Sequence, residues 1–208
     1  MGSSTILDII TSVIIAGFLL LTALRLNDQA NETSILYHSN LLLQQNMTAL
    51  TGILEHDFRR IGFCADYKKI KDPADAIRYA DTSKIRFWLD LDNDGVMDSI
   101  EYSIGPPSEM TSTVNPRDRV LYRKVNNTTA QRLEMGVTQF RFKFFNALGD
   151  TLLFPIAEPR EIHSMEISLQ IESFAPFDVR YTASNDTLAD FQMYWRQIRL
   201  AARNLRNR

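Results

Sequence analysis

Ile9 to Leu24 reads IITSVIIAGFLLLTAL, sixteen consecutive residues with no charge and no proline. What this run is decides the fold. With Thr5 to Leu7 before it and Leu26 after it, it supplies roughly the 20 positions that a bilayer-spanning helix requires, provided Asp8 is tolerated. Four readings compete. A secretory signal peptide wants a basic n-region and a small-residue cleavage site, but Met1 to Leu7 holds no Lys or Arg and Arg25-Leu26-Asn27-Asp28 is a poor site. A core helix hydrophobic on every side suits a larger protein than this one. A membrane anchor remains, as does an anchor that later packs against copies of itself. Those two rest on the same physics.

Outward from Arg25 the helical pattern does not break. No proline occurs before Pro73, and Ile35, Leu36, Leu41, Met47, Leu50, Leu54, Phe58 and Ile61 recur at three- and four-residue steps. Gln29, Asn31, Glu32, Ser39, Gln44 and Gln45 fill the other faces. The spacing predicts one helix from Thr5 to Gly62, about 85–90 Å long if continuous. Its first part, 4–26, is the membrane or assembly segment, and its second, 27–62, runs into a globular domain. The apolar stripe sharpens towards Leu54, Phe58 and Ile61, which predicts docking there. A bend at Gly17 or near Asn27 to Ser34, or two helices with a loop at 27–34, are the alternatives.

From 63 to 208 the pattern is that of a β-rich domain. Phe63 to Thr82 is mixed and polar and reads as a loop. Ile85, Phe87 and Leu89 alternate with Arg86, Trp88 and Asp90, and Ile100, Tyr102 and Ile104 alternate again beyond Asp92-Asn93-Asp94-Gly95, which is strong turn chemistry. The two runs predict a hairpin. Val120 to Val125 is a short strand. Phe140, Phe142 and Phe144 alternate with Arg141 and Lys143, Asn146 to Asp150 is a turn, and Leu152 to Phe154 starts the return. Met165 to Ile171 is another strand and Val179 to Tyr181 a short one. Gln192 to Leu205 suits a strand or an amphipathic helix equally. Phe140, Phe142, Phe144 and Trp88 are expected in the core. The fold class is therefore α+β: a long N-terminal helix leading into an antiparallel sheet.

Composition narrows the function. The 208 residues are about one and a half average domains, so one domain plus an extra element fits. Twenty-three basic against 25 acidic residues give a net charge of −2, no pull towards nucleic acid. The single cysteine, Cys64, excludes an intrachain disulfide and multi-cysteine zinc patterns, and is expected to be buried. His38, His56 and His163 have no ligand spacing, and His56 reads as a surface residue. No convergent acid–base pair or nucleophile emerges, so an enzyme is not expected. The basic tail (Arg196, Arg199, Arg203, Arg206, Arg208) suits a solvated terminus or salt-bridged edge better than a phosphate or DNA site. The N-x-T sequons at Asn31, Asn46, Asn126, Asn127 and Asn185 read as chance.

Asp90-x-Asp92-x-Asp94-Gly95-x-x-Asp98-x-x-Glu101 matches the calcium-loop template at every fixed position. Calcium takes six to eight oxygens, and five carboxylates can supply most of them. Strands instead of helices flank the loop, so an acidic hairpin turn with Gly95 at positive φ stands beside calcium as a reading.

Ser4-Thr5-Ile6-Leu7-Asp8 and the apolar run behind it resemble the mature N-terminus of type IV pilin-like proteins. Leu54-Glu55-His56-Asp57-Phe58-Arg59-Arg60-Ile61-Gly62-Phe63 is similar to the helix end of J-type (PilW-like) minor pilins and pseudopilins, and 90–103, 140–152, 162–171 and Trp195 with Asn204-Leu205-Arg206 resemble that group's strand blocks and close. The resemblance implies a leader at 1–3, removed by a prepilin peptidase, with cleavage after Ser3 placing Thr5 second and Asp8 fifth. N-terminal methylation goes with that processing. Cleavage after Gly2 is the other register. Asp8 stands where the family usually has Glu, and the leader lacks a basic residue, which a start codon upstream would explain. The implied role is a structural minor subunit of a type IV pilus or type II secretion pseudopilus, at the tip or initiation complex. Its partners would be other pilin-like subunits and the inner membrane, with the globular domain extracytoplasmic. Ser3, Ser4 and Asp8 would serve processing and assembly, Asp8 pairing with a neighbour's free N-terminus. A membrane-anchored binding module, an adhesin or sensor that does not polymerise, is the alternative.

Overall fold

The computed structural model describes residues 2–69, 72–181 and 187–201. Its elements are α1 (Gly2–Arg59), β1 (Ile77–Ala80), β2 (Lys84–Leu89), β3 (Asp98–Ile104), β4 (Arg119–Val125), β5 (Gln131–Phe145), β6 (Ser164–Glu172), β7 (Asp178–Tyr181), β8 (Thr187–Asp190) and β9 (Met193–Leu200). The chain divides into two compact units, 1–41 and 42–208.

α1 is one helix of 58 residues, so the two-helix alternative with a loop at 27–34 does not hold. It ends at Arg59 rather than at Gly62. Arg60 and Ile61 donate to the carbonyls three residues back, and Gly62 takes φ 74 and turns its N–H to the Trp88 carbonyl at 2.8 Å. A glycine in the left-handed region stops a helix this way because no Cβ opposes it.

Among the described residues of 1–41, the apolar run stands exposed. From Ile6 to Leu24 the large hydrophobic residues are exposed by 52% (Leu24) to 66% (Leu7, Phe18). The hydroxyls scattered among them are satisfied within the helix. Thr11 Oγ1 donates to the Leu7 carbonyl at 2.8 Å, Ser12 Oγ to Asp8 at 2.6 Å and Thr22 Oγ1 to Leu19 at 2.8 Å. Such back-bonding lets a hydroxyl sit in an apolar surround without an orphaned donor.

Within 42–208 the helix is amphipathic and docked. Leu43, Met47, Leu50, Leu54 and Phe58, followed by Ile61 in the turn, are buried at three- and four-residue steps. They pack on a seven-stranded antiparallel sheet of order β1-β2-β3-β4-β5-β6-β9, while β7 and β8 form a separate hairpin. Phe87 lies opposite Ile100, and Phe142 opposite Ile167, so whole cross-strand pairs face the core together. Phe58 sits among Phe87, Tyr102 and Phe142 at ring distances of 5.0, 5.4 and 5.8 Å.

Beside Phe58 a charge is buried. Asp57, 1% exposed, accepts from Tyr102 Oη at 2.7 Å and from Arg123 Nε at 2.7 Å. Burial pushes its carboxyl up, but the hydrogen bonds from Arg123, Tyr102 and His56 together outweigh that and hold it below the ordinary carboxylate range. Burial likewise drives the Tyr102 phenol well above its usual range. Arg123 occupies the inward phase of β4 between Leu121 and Val125, where a lone cation would be costly.

Several expected elements come out differently. The 63–82 stretch ends in β1, paired antiparallel to β2. Leu152 to Phe154 forms no strand: Thr151 bridges Phe145, Leu152 N–H bonds to Phe144, and the chain returns through β6. β9 settles 193–200 as a strand along β6, with the remainder of the tail, 202–208, outside the described residues. Trp88 is not in the core. It alternates with Phe87 and Leu89 and lies half-buried on the outer face.

Leu54→Ala and Phe58→Ala should each destabilise the full chain in detergent by about 2–5 kcal/mol in denaturant titrations. Unchanged curves would mean the docking face is misassigned. Arg123→Ala should cost about 3–5 kcal/mol by stranding Asp57. Because the folded Asp57 carboxyl lies below its unfolded value near 3.8, its contribution is complete above that value and lost as pH falls through the folded one. Melting temperatures from pH 7 to pH 2 should therefore fall less in Asp57→Asn than in the parent chain.

Candidate functional site

Two places hold the residues that the sequence singles out. The first is the start of α1. Asp8 is exposed on the helix, one residue before the sixteen-residue apolar run. Ser3 and Ser4 belong to α1, but their side chains lie outside the described residues, as does Met1.

The second is the turn between β2 and β3. Pairing of Leu89 with Asp98 closes the hairpin, so Asp90 and Asp98 stand at its two ends. Asp90 is fully buried. Its Oδ2 accepts the N–H of Ala65 at 2.9 Å and of Gly95 at 3.0 Å. The Ala65 N–H holds the Asp90 carboxyl below its ordinary range, burial opposes this, and the Gly95 N–H adds to the lowering. Asn93 and Gly95 have φ of 65 and 79, so the expected positive φ at Gly95 is present and Asn93 shares it. Asp92 Oδ1 accepts from the Asp94 N–H, Asp94 Oδ1 from Val96, Asp98 Oδ2 from Leu91 at 3.0 Å and Asp98 Oδ1 from Asn126 Nδ2 at 2.7 Å.

These contacts sort the five candidate carboxylates. Asp90, Asp92 and Asp98 each bring an oxygen within 4.8 Å of the other two. Asp94 is not in that group. Nor is Glu101, which the template places last. It lies in β3 opposite Arg86, forms an ion pair with the Arg86 guanidinium and a second with Lys84 Nζ at 3.0 Å, and has its carboxyl lowered by them against burial. Continuous strand pairing carries Glu101 away from the loop end, where a helical flank would bring the twelfth residue back.

Arg60 was not foreseen at this site. Its guanidinium donates to the carbonyls of Asp90 at 2.5 Å and Leu91 at 3.1 Å and to Asn93 Oδ1 at 2.7 Å, and it stacks 5.2 Å from the Phe63 ring centroid. The buried Asp57–Arg123 pair was not foreseen either. Its signal was present in the pattern: Arg123 interrupts the inward phase of a strand, and Asp57 adjoins the stripe of a helix. Opposite charges on two apolar faces that meet must pair.

Of the remaining candidates, Cys64 is buried as expected, and His56 is 59% exposed at its side chain with Nδ1 3.1 Å from Asp57. Arg199 of the tail lies over the Phe145 ring at 4.3 Å, while Arg203, Arg206, Arg208 and the sequon at Asn185 are outside the described residues. No protein-family model, curated protein or solved structure matches the chain. The functional reading rests on the residues themselves.

Arg60→Ala removes the donor that three acceptors of the turn share. It should destabilise the chain by about 1.5–3 kcal/mol, and Arg60→Lys should recover little because an ammonium cannot fork to carbonyls on both sides. Denaturant midpoints that coincide for parent and Arg60→Ala would show the turn holds its shape unaided.

Proposed function

We propose that the chain is a structural subunit of a type IV pilin-like assembly, a pilus or type II secretion pseudopilus. Residues 4–26 insert in the inner membrane with the globular domain outside the cytoplasm, and the helix later packs against those of neighbouring subunits. In the J-type manner the subunit sits at the tip or initiation complex. One observation carries the reading: the apolar run is exposed on all sides of a helix whose other end is docked on an antiparallel sheet. Lipid or a bundle of like helices suits such a surface, and water does not.

Asp8 adds a reason for assembly. A carboxylate in an apolar helix costs about 2.5–3.5 kcal/mol at mid-membrane and less near the edge, and such groups find partners. Removal of a leader frees an α-amino group, and in a helix bundle that cation can face a neighbour's Asp8, compensating both charges. A prepilin peptidase is the implied processing partner.

Edman sequencing of the protein from native membranes should give a chain starting at Ser3 or Ser4. An N-terminus at or before Met1 would favour the non-polymerising binding module. Asp8→Ala should leave membrane insertion intact or improve it, yet reduce recovery with pilin-like proteins in the sheared filament fraction at least tenfold, about 1.4 kcal/mol of lost pairing. Undiminished recovery would remove the pairing.

A further inference from the structure

We propose that the β2–β3 turn is a calcium site whose protein ligands are the carboxylates of Asp90, Asp92 and Asp98. Two independent observations meet there. The first is spacing: the three carboxylates each place an oxygen within 4.8 Å of the others. Calcium binds oxygen at about 2.3–2.6 Å, so ligands on opposite sides of one ion are about 4.8 Å apart, and three oxygens this close fit a single coordination sphere. The second is an orphan. Asp90 is 0% exposed, and although its Oδ2 is held by two backbone N–H groups and the Asn93 and Asp94 N–H groups also help lower its carboxyl, its Oδ1 is buried without a hydrogen bond of its own. A buried carboxylate oxygen without a donor is expensive, and a cation is the partner that such an oxygen lacks.

The surrounding charges leave the place for an ion. Among the described residues no ion pair within 4 Å reaches Asp90, Asp92, Asp94 or Asp98. Arg60 spends its donors on main-chain carbonyls and on Asn93. Among the described residues, Lys69 Nζ comes near the loop's glycine, 3.6 Å from where a Cβ on Gly95 would stand. Among the described residues, the three carboxylates thus converge with no cation in direct contact.

The chemistry selects the metal class. An all-oxygen, all-carboxylate set suits a hard cation, and zinc would want nitrogen or sulfur. Magnesium holds its ligands at about 2.0–2.1 Å in strict octahedral geometry and dehydrates reluctantly, which suits a loose group of three carboxylates poorly. Calcium tolerates irregular spheres and completes them with carbonyls and water. The site is flanked by strands, and it closes with Asp98 at the first residue of β3, not with Glu101, whose carboxylate Lys84 and Arg86 occupy. The site itself does not depend on the pilin-like reading. Only its affinity class does: a module outside the cytoplasm needs a Kd of about 0.1–1 mM.

The test uses the full chain in detergent micelles, stripped with EGTA and dialysed. In 5 mM calcium the melting temperature should rise by about 3–8 °C over the EGTA sample, and 5 mM magnesium should give under half of that. Equilibrium dialysis should find one calcium ion per chain. Asp92→Asn and Asp98→Asn should abolish the shift, and Glu101→Gln should keep it. Asp98 also holds Leu91 and Asn126, so should Asp98→Asn fail to fold, the exposed Asp92 carries the test alone. Coincident melts in calcium and EGTA overturn the site. An equal shift in magnesium, or a shift that survives Asp92→Asn, overturns it too, as general screening. Loss of the shift in Glu101→Gln would restore the twelve-residue loop and overturn the assignment of ligands. An N-terminus or filament assay that fails leaves these outcomes untouched.

Discussion

Burial of one stripe of α1 against the inner face of the sheet is the constraint on which the rest of the structure depends. An open antiparallel sheet with one apolar face has to cover it. Leu50, Leu54, Phe58 and Ile61 are each 0% exposed in the core of Ile85, Phe87, Ile100, Tyr102 and Phe142. Each such side chain contributes about 1.5–3 kcal/mol on full burial. That term is non-directional, and a stripe of Leu and Phe would tolerate a slip along its own axis. Asp57 does not tolerate it. Its carboxylate meets Arg123 and Tyr102 in one register only, and a slip of one turn would bury two unpaired charges. Buried ion pairs add little net stability, but breaking one is costly. The apolar stripe supplies the attraction and the ion pair sets the position.

The exit of α1 carries that position to the acidic turn. Gly62 N–H bonds to the Trp88 carbonyl, Asp90 N–H to Phe63, and Ala65 N–H to the Asp90 side chain, so residues 62–65 run beside the end of β2 as though they were a further strand. Arg60 spans from the last turn of the helix to the carbonyls of Asp90 and Leu91. The turn is therefore braced on one side by β3 pairing and on the other by the segment that ends the helix. Whatever tightens the turn also tightens the helix exit, since they share Asp90. Under the calcium proposal, the ion and the docking of α1 are linked through that residue.

How much of this was legible in the sequence follows from which forces act locally. The helix, the β2–β3 hairpin and the Phe140–Phe144 strand were readable because periodicity alone records which face is buried. The end of α1 was misplaced by three residues because Ile61 continues the apolar stripe from within a turn, and only the Gly62–Trp88 bond reveals the stop. Trp88 was expected in the core on its strand spacing, whereas its phase, opposite to Phe87, puts it outside. Glu101 fitted a template written for helical flanks, and the strand pairing that displaces it is a long-range fact. Arg60 and Arg123 have partners thirty and sixty-six residues away, which no local pattern records. Strand or helix at 193–200 was undecidable from alternation and is settled by the open edge of β6.

The two parts of α1 make opposite demands on their surroundings with one backbone conformation. In hydrocarbon every N–H and C=O must be satisfied within the segment, which makes a helix obligatory for 9–24 whatever its propensities. Propensity would not ensure this, since Ile and Val are weak helix formers. In 42–59 the helix is held instead by packing. The outer face of the sheet is mixed: Arg86 pairs with Glu101 and Lys143 with Glu166, beside the half-buried Trp88 and the exposed Trp195. The continuous exposed apolar run, long enough to cross a membrane, is bracketed by Asp8 and Arg25. Those two charges are seventeen residues apart, about 26 Å along a helix, against a hydrocarbon core of about 30 Å. In the proposed membrane setting both would reach a surface, so an unassembled chain would not be burdened by a deeply buried carboxylate. In the proposed assembly the lipid is replaced by other helices, the route to the surface closes, and Asp8 then needs a cation beside it. The N-terminal amine of the next chain is a group of the right charge on the same stretch of helix.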